Sequence, residues 1–159
     1  MEVVSTGLAY LIVPVRGALE RAKIVSDSFE ALLQSLGAQF VYVLDSQTLE
    51  GRHWNNDGIM EDVATGSAAG TVGAYLAKHQ RVSLNESFIL HQGRFVGRPS
   101  EIQVHPVGEN GNIDSVQVGG DVAFVSSSVL LSTPANTPAN NSANTSVSTS
   151  EKTPKRSES

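Results

Sequence analysis

Glu61-Asp62-Val63-Ala64-Thr65-Gly66-Ser67-Ala68-Ala69-Gly70-Thr71-Val72-Gly73-Ala74-Tyr75-Leu76 places two carboxylates directly before Thr-Gly-Ser and follows them with a run of very small residues. Thr65 and Ser67 are both suited to cap a helix N-terminus, because a hydroxyl oxygen accepts from a free first-turn amide. Gly66, Ala68, Ala69, Gly70, Gly73 and Ala74 leave little side chain over the first turns. Glycine costs a helix about 1 kcal/mol relative to alanine, so this density predicts close approach of backbone or of a ligand. Two readings stay open from these residues. One is a helix buried in a tight core; the other is an N-terminus whose bare amides seat a carboxylate or phosphate.

The chain has 159 residues, enough for one domain with its own core and short for two. A net charge of -5 with 11 Lys plus Arg argues against a nucleic-acid surface. With no cysteine, disulfides, thiolate catalysis and cysteine-based zinc sites are excluded together. No apolar run approaches bilayer length, so no membrane partner is expected. Met1-Glu2-Val3-Val4-Ser5 lacks a basic segment followed by an apolar one, which makes cytoplasmic the expected location.

Working outward, Tyr10 to Val15 reads as a buried strand closing at Pro14. Gly17 to Gly37 carries a helical pattern in two pieces, the second capped by Ser26 or Asp27 and stopped by Gly37. Gln39 to Leu44 is β-rich. Residues 51–60 are polar with two glycines and read as a loop or an edge strand. The small-residue helix is expected from Ser67 to about His79. Strands follow at Ser87–Gln92, Glu101–His105, Ile113–Val118 and Val122–Leu131, with turns at Gly93–Pro99 and Gly119-Gly120. The order predicts an α+β fold whose curved sheet wraps the small-residue helix. From Ser132 to Ser159 the chain is dominated by Ser, Thr, Pro, Ala and Asn and reads as a disordered tail, leaving residues 1–131 as the folded domain.

The run from Glu61 to Gly70 resembles the signature of the phenazine-biosynthesis-F-like family, usually Glu-Asp-Pro-Ala-Thr-Gly-Ser-Ala. Ser5-Thr6-Gly7-Leu8-Ala9-Tyr10-Leu11-Ile12-Val13-Pro14 resembles the strand that opens the family's second lobe. Gln92-Gly93, then Gly97-Arg98-Pro99-Ser100 leading into Glu101-Ile102-Gln103-Val104, resembles a later hairpin. Gly119-Gly120 with Val122 to Val125 resembles the closing strand. Val63 and Ala9 stand where the family commonly has proline, which loosens a local turn without removing a chemical group.

The resemblance implies a diaminopimelate-epimerase-like fold: two similar lobes, each a curved sheet around a central helix, with the site between them. It implies a cofactor-free isomerase or epimerase that moves a proton on a small carboxylate-bearing metabolite. Carried over to this chain, Asp62 assists proton transfer if its surroundings raise its pKa toward neutrality. Gly66 and Ser67 hold the substrate carboxylate through their amides, flanked by Thr65 and Ala68. The family's principal acid/base glutamate belongs to the first lobe, and Glu2, Glu20 and Glu30 are not in its context. A lone lobe is therefore expected to bind anions weakly and catalyse poorly, unless a second copy or a partner carrying the first lobe faces it. The competing expectation is a noncatalytic anion-binding or interaction lobe.

Other candidates are weaker. His53, His79, His91 and His105 are too scattered for a ligand set and read as surface or core-edge residues. Glu61 either orients loop amides or faces solvent. Arg52 and Arg98 read as surface cations rather than substrate contacts. Tyr75 reads as core, and Gln92 as a strand-end residue that the family pattern brings toward the cleft.

Overall fold

The computed structural model describes residues 1–129, and the expected tail at 132–159 lies outside them. Met1–Val122 forms one compact unit. Its elements run β1 (Glu2–Ser5), β2 (Ala9–Val15), α1 (Phe29–Ser35), β3 (Phe40–Asp45), β4 (Glu50–Arg52), α2 (Gly66–Lys78), β5 (Phe88–Gln92), β6 (Ser100–Glu109) and β7 (Asn112–Gly119). The strands form a single mixed sheet in chain order. β2–β3 and β4–β5 are parallel, and the other neighbours are antiparallel.

Parallel neighbours need crossover connections, and the two helices lie in those connections. Alternation along the strands then divides the core between them. Leu11 and Val41 pack with Leu33 of α1 and Ala38. Tyr10, Ile12, Tyr42 and Leu44 pack instead with Ala68, Ala69, Val72 and Leu76 of α2, joined by Leu90, Ile102 and Val104. Helix α2 touches β1 and β2 near one end of the strand order and β6 and β7 at the other, so the sheet curls.

The glycines of α2 divide by cause. A Cβ on Gly73 would lie 2.6 Å from Val104 Cγ1 and 2.8 Å from Val116 Cγ1, so glycine there is demanded by the sheet. Gly70 meets Thr6 Oγ1 at 3.1 Å, a tight but softer approach. Around Gly66 nothing lies within 4 Å of such an atom. Tight packing accounts for Gly73 and leaves Gly66 unexplained by packing.

Several local expectations are corrected. The first helical piece is one 3-10 turn, Leu19–Arg21, because Ala22 is extended (ψ 128) and the chain does not continue helically. Ser28, rather than Ser26 or Asp27, occupies the cap position of α1 and makes no side-chain cap bond. Ser26 and Ser28 bond each other instead, at 3.1 Å. Gly37 does end this segment in a left-handed conformation, φ 76. β1 was not expected, since Glu2-Val3-Val4-Ser5 offers only two apolar residues, yet it pairs in register with β2.

β4 is neither loop nor edge: it lies between β3 and β5, and Gly51 explains why. A Cβ there would fall 2.1 Å from Tyr42 Cε1, so the Tyr42 ring crosses β4 at the one residue without a side chain. Val122–Val129 forms no strand; its residues are exposed and pair with none of the seven strands.

Gly73→Ala gains helix propensity of about 1 kcal/mol but overpacks against two valines at about 1–3 kcal/mol, so a net loss in urea-unfolding stability is expected. Gly66→Ala, with open space around it, is expected to cost nothing by the same measurement. A second expectation concerns acid. The amide of Gln47, and after it that of Gly17, each 2.9 Å from Asp45, hold this carboxyl below its usual range. Its contribution is complete above the unfolded value of about 3.9 and is lost as pH falls through the lower folded value. Thermal melts of Asp45→Asn should therefore show a shallower loss of stability on acidification than those of the parent chain.

Candidate functional site

The turn between β4 and α2 folds as a small closed unit before the helix begins. Trp54 bridges Glu61, Asn55 N–H donates to Met60 C=O at 3.0 Å, and Asp62 N–H donates to His53 C=O at 2.9 Å. Its tip presents Ile59 and Met60 to solvent, 84% and 70% exposed. Its base is locked by Arg52, whose guanidinium grips Glu61 bidentately at 2.9 and 2.6 Å. The same guanidinium donates to the carbonyls of Leu19 and Ala22 and lies between the rings of Trp54 and Phe95. The surface role expected of Arg52 is thus corrected: it is buried because a bidentate partner and carbonyls satisfy its donors. Glu61 neither orients amides nor faces solvent, since both its oxygens are held by Arg52.

Helix α2 starts at Gly66 with Thr65 at the cap position, but the expected hydroxyl caps are absent. The Thr65 hydroxyl donates to Asp62 Oδ2 at 2.6 Å. The Ser67 hydroxyl bonds the Tyr10 hydroxyl at 2.8 Å. Thr65 alone stands at the cap position, Ser67 being the second residue of the helix, and the first backbone bond of the helix runs from Ala69 N–H to Thr65 C=O at 2.9 Å. The amides of Gly66, Ser67 and Ala68 precede that bond, at the positive end of a 13-residue helix. Gly66, Ser67 and Asp62 are exposed, while Thr65 and the methyl of Ala68 are buried. The carboxylate of Asp62, which also accepts from Val63 N–H at 2.8 Å, shares this mouth.

One buried side chain connects the mouth to the sheet. Gln92, at the end of β5 and 1% exposed, uses its carboxamide four times. Its Oε1 accepts from Tyr42 O–H at 3.1 Å and from Thr65 N–H at 3.3 Å. Its Nε2 donates to Thr65 Oγ1 at 2.9 Å and to Asp62 C=O at 3.1 Å. Burial pushes the Tyr42 phenol far above its ordinary range, so it stays a donor. The neighbouring glycine completes the fit: a Cβ on Gly93 would lie 2.7 Å from Val63 C=O and 2.3 Å from Arg98 C=O. Tyr10, packed edge-on against His53, is pushed up first by burial and also by the charge of Asp62, with the Ser67 bond acting the other way.

Asp62, Thr65, Gly66 and Ser67 thus come together at one helix mouth. Gln92 supports them from behind rather than reaching a ligand. Tyr10 and Tyr42 were missed; the available signal was a tyrosine inside each of two largely apolar strands. The remaining candidates lie apart. His53 is buried with Nδ1 2.8 Å from Val41 C=O, His79 pairs with Glu2, and His105 meets Ser87. His91 and Arg98 are exposed, and Tyr75 is half-buried against the core.

A family model described as phenazine biosynthesis-like protein matches residues 1–128. Among curated relatives, a trans-2,3-dihydro-3-hydroxyanthranilate isomerase of Pseudomonas aeruginosa is 35% identical over 79 residues, 46% of this chain and 28% of its own. An uncharacterized isomerase of Bacillus subtilis is 29% identical over 79% of this chain and 46% of its own. Among solved structures, one described as a predicted epimerase from Pseudomonas aeruginosa is 49% identical with a TM-score of 0.63, covering 77% of this chain and 44% of that one. A Bacillus anthracis phenazine biosynthesis protein gives a TM-score of 0.57 at 25% identity, over 72% of this chain and 42% of that one. The chain therefore spans less than half the length of each of these relatives.

Gln92→Leu keeps the volume and removes the carboxamide, leaving the Tyr42 hydroxyl and the Thr65 amide without their partner. At about 1–3 kcal/mol for an unsatisfied buried group, denaturant unfolding should show a loss in that range or above. Amide spectra should shift at Asp62, Thr65 and Gly66, far from residue 92 in sequence.

Proposed function

The chain belongs to the phenazine-biosynthesis-like family, and on that premise we propose that it moves a proton on a small carboxylate-bearing metabolite. Residues 1–131 are read as the second lobe of a diaminopimelate-epimerase-like isomerase, with the curled sheet around α2. The substrate carboxylate sits on the amides of Gly66 and Ser67, with the Ala68 amide beside them. Asp62 then gives or takes a proton at the carbon next to that carboxylate. No cofactor is needed in this scheme, because the cradle carries the negative charge that builds up when the carbon loses its proton.

The observation that supports the reading best is the fate of the two hydroxyls. A helix whose Thr65 cap is turned onto Asp62, and whose Ser67 is turned onto Tyr10, keeps its first amides open beside a carboxylate. Proton transfer at carbon also needs a second group on the opposite face. Leu8, Ile59 and Met60 are exposed apolar residues that suit a covering surface. We assign that surface to a partner bearing the first lobe or to a second copy of this chain.

The test is deuterium incorporation next to the carboxylate, followed by NMR in deuterated buffer over a panel of small amino and hydroxy acids, with mass from light scattering. Incorporation is expected to fall about 10²–10⁴-fold in Asp62→Asn. Incorporation that survives in Asp62→Asn would remove Asp62 from the chemistry. Failure to exchange any acid, with carboxylate binding at Gly66 and Ser67 retained, would make this a noncatalytic anion-binding lobe. A well-folded particle that stays monomeric while exchanging would exclude the second copy as the covering surface.

A further inference from the structure

The end of α2 away from Gly66 and Ser67 closes against a different cavity. The helix spans 13 residues, so this end lies about 18 Å from the first turn at 1.5 Å per residue. The cavity there has a volume of about 450 Å³ and is lined by Arg16, Ser46, Tyr75, His79 and Arg81, with Pro14 and Val15 as apolar wall. These residues arrive from separate places: Arg16 just beyond β2, Ser46 just beyond β3, Tyr75 and His79 from the last turns of α2, and Arg81 from the segment after it.

The charge of this lining is unusual for the chain. The protein carries 16 acidic against 11 basic residues, yet no carboxylate lines the cavity. Ion pairs among the described residues take up Arg52, Lys78, His79 and Arg94, and none of them includes Arg16 or Arg81. Arg81 has a simpler explanation available, since a cation suits the negative end of a helix. That end is already closed by backbone, with His79, Gln80 and Arg81 N–H groups donating to Tyr75, Ala77 and Leu76 carbonyls. It also gives no reason for Arg16, which follows a strand, to face the same cavity.

We propose that this cavity is a second anion site that takes a phosphate group carried by a small molecule. Two guanidinium groups match a phosphate dianion in charge and can bind its oxygens in a fork geometry. The Ser46 hydroxyl supplies a further donor, and the Tyr75 ring with Pro14 gives the rest of the molecule an apolar surface. His79 is held by Glu2 at 2.9 Å and forms the rim. The site is independent of the chemistry assigned to Asp62, and a ligand seated there would press on the last turn of the same helix.

The test titrates the full chain with inorganic phosphate, following amide shifts at constant ionic strength, with chloride and acetate as comparison anions. Saturable shifts are expected at Arg16, Ser46 and Arg81 with phosphate, and not with chloride. The double variant Arg16→Gln/Arg81→Gln, both exposed positions, should weaken the binding by about tenfold or more. Arg81→Lys, which keeps the charge and loses the fork, should weaken it less than Arg81→Gln. Shifts that never saturate, or that match those with chloride, overturn the proposal in the unmodified chain alone. Saturable shifts confined to Gly66 and Ser67 overturn it as well, and would assign phosphate to the other end of the helix.

Discussion

The geometry of the helix mouth depends on the Gln92 carboxamide. It is the point where the sheet sets the position of the turn before α2, because it holds the Asp62 carbonyl and both polar groups of Thr65 at once. Its own orientation is fixed by the Tyr42 hydroxyl, and Tyr42 reaches it only because β4 carries glycine at residue 51. A buried amide that uses donor and acceptor in full is favourable, whereas the same amide half-satisfied is costly. The network therefore exists in one arrangement, and it passes that arrangement to Thr65, from Thr65 to Asp62, and to the start of the helix.

This dependence separates two kinds of small residue that look alike in sequence. Gly51 and Gly93 are needed where a ring or a carbonyl occupies the space of a side chain, and Gly73 where two valines do. Gly66 meets no such neighbour. A run of small residues is thus partly core packing and partly an open helix start: packing accounts for Gly73, and no neighbouring atom accounts for Gly66. Sequence spacing could not divide them, since the atoms that distinguish Gly73 from Gly66 belong to β6 and β7, more than twenty-five positions away.

The long-range pattern was legible where period and composition spoke for the same element. β2, β3, β5, β6, β7 and α2 follow from apolar runs and from the small-residue signature, within one to four residues at most ends. The failures share a cause. β1 has too few apolar residues to stand out, and it is a strand because β2 offers it an edge. β4 is three residues long with a charged residue at each end, and it is central because Tyr42 and Gln92 close around its glycine. Arg52 was misjudged for the same reason, as its burial rests on Glu61, two aromatic rings and the carbonyls of a distant turn. At the site, the members adjacent in sequence were readable, and the supports from β2, β3 and β5 were visible only in part.

The open first turn then acquires a physical meaning from what its neighbours do. A threonine at a cap position normally stabilises its helix by about 1 kcal/mol through its hydroxyl. Here that hydroxyl is held between Gln92 as donor and Asp62 as acceptor, so the helix forgoes the cap and the carboxylate gains a fixed rotamer. Ser67, further into the first turn, bonds the hydroxyl of Tyr10, whose burial keeps it neutral. The two hydroxyls each order a group at the helix mouth, Thr65 the Asp62 carboxylate and Ser67 the Tyr10 hydroxyl. Of the two hydroxyls only that of Thr65 stands at the cap position and could have met a first-turn amide. That arrangement, an ordered carboxylate beside first-turn amides at the positive end of a helix, is what the proposed anion site requires.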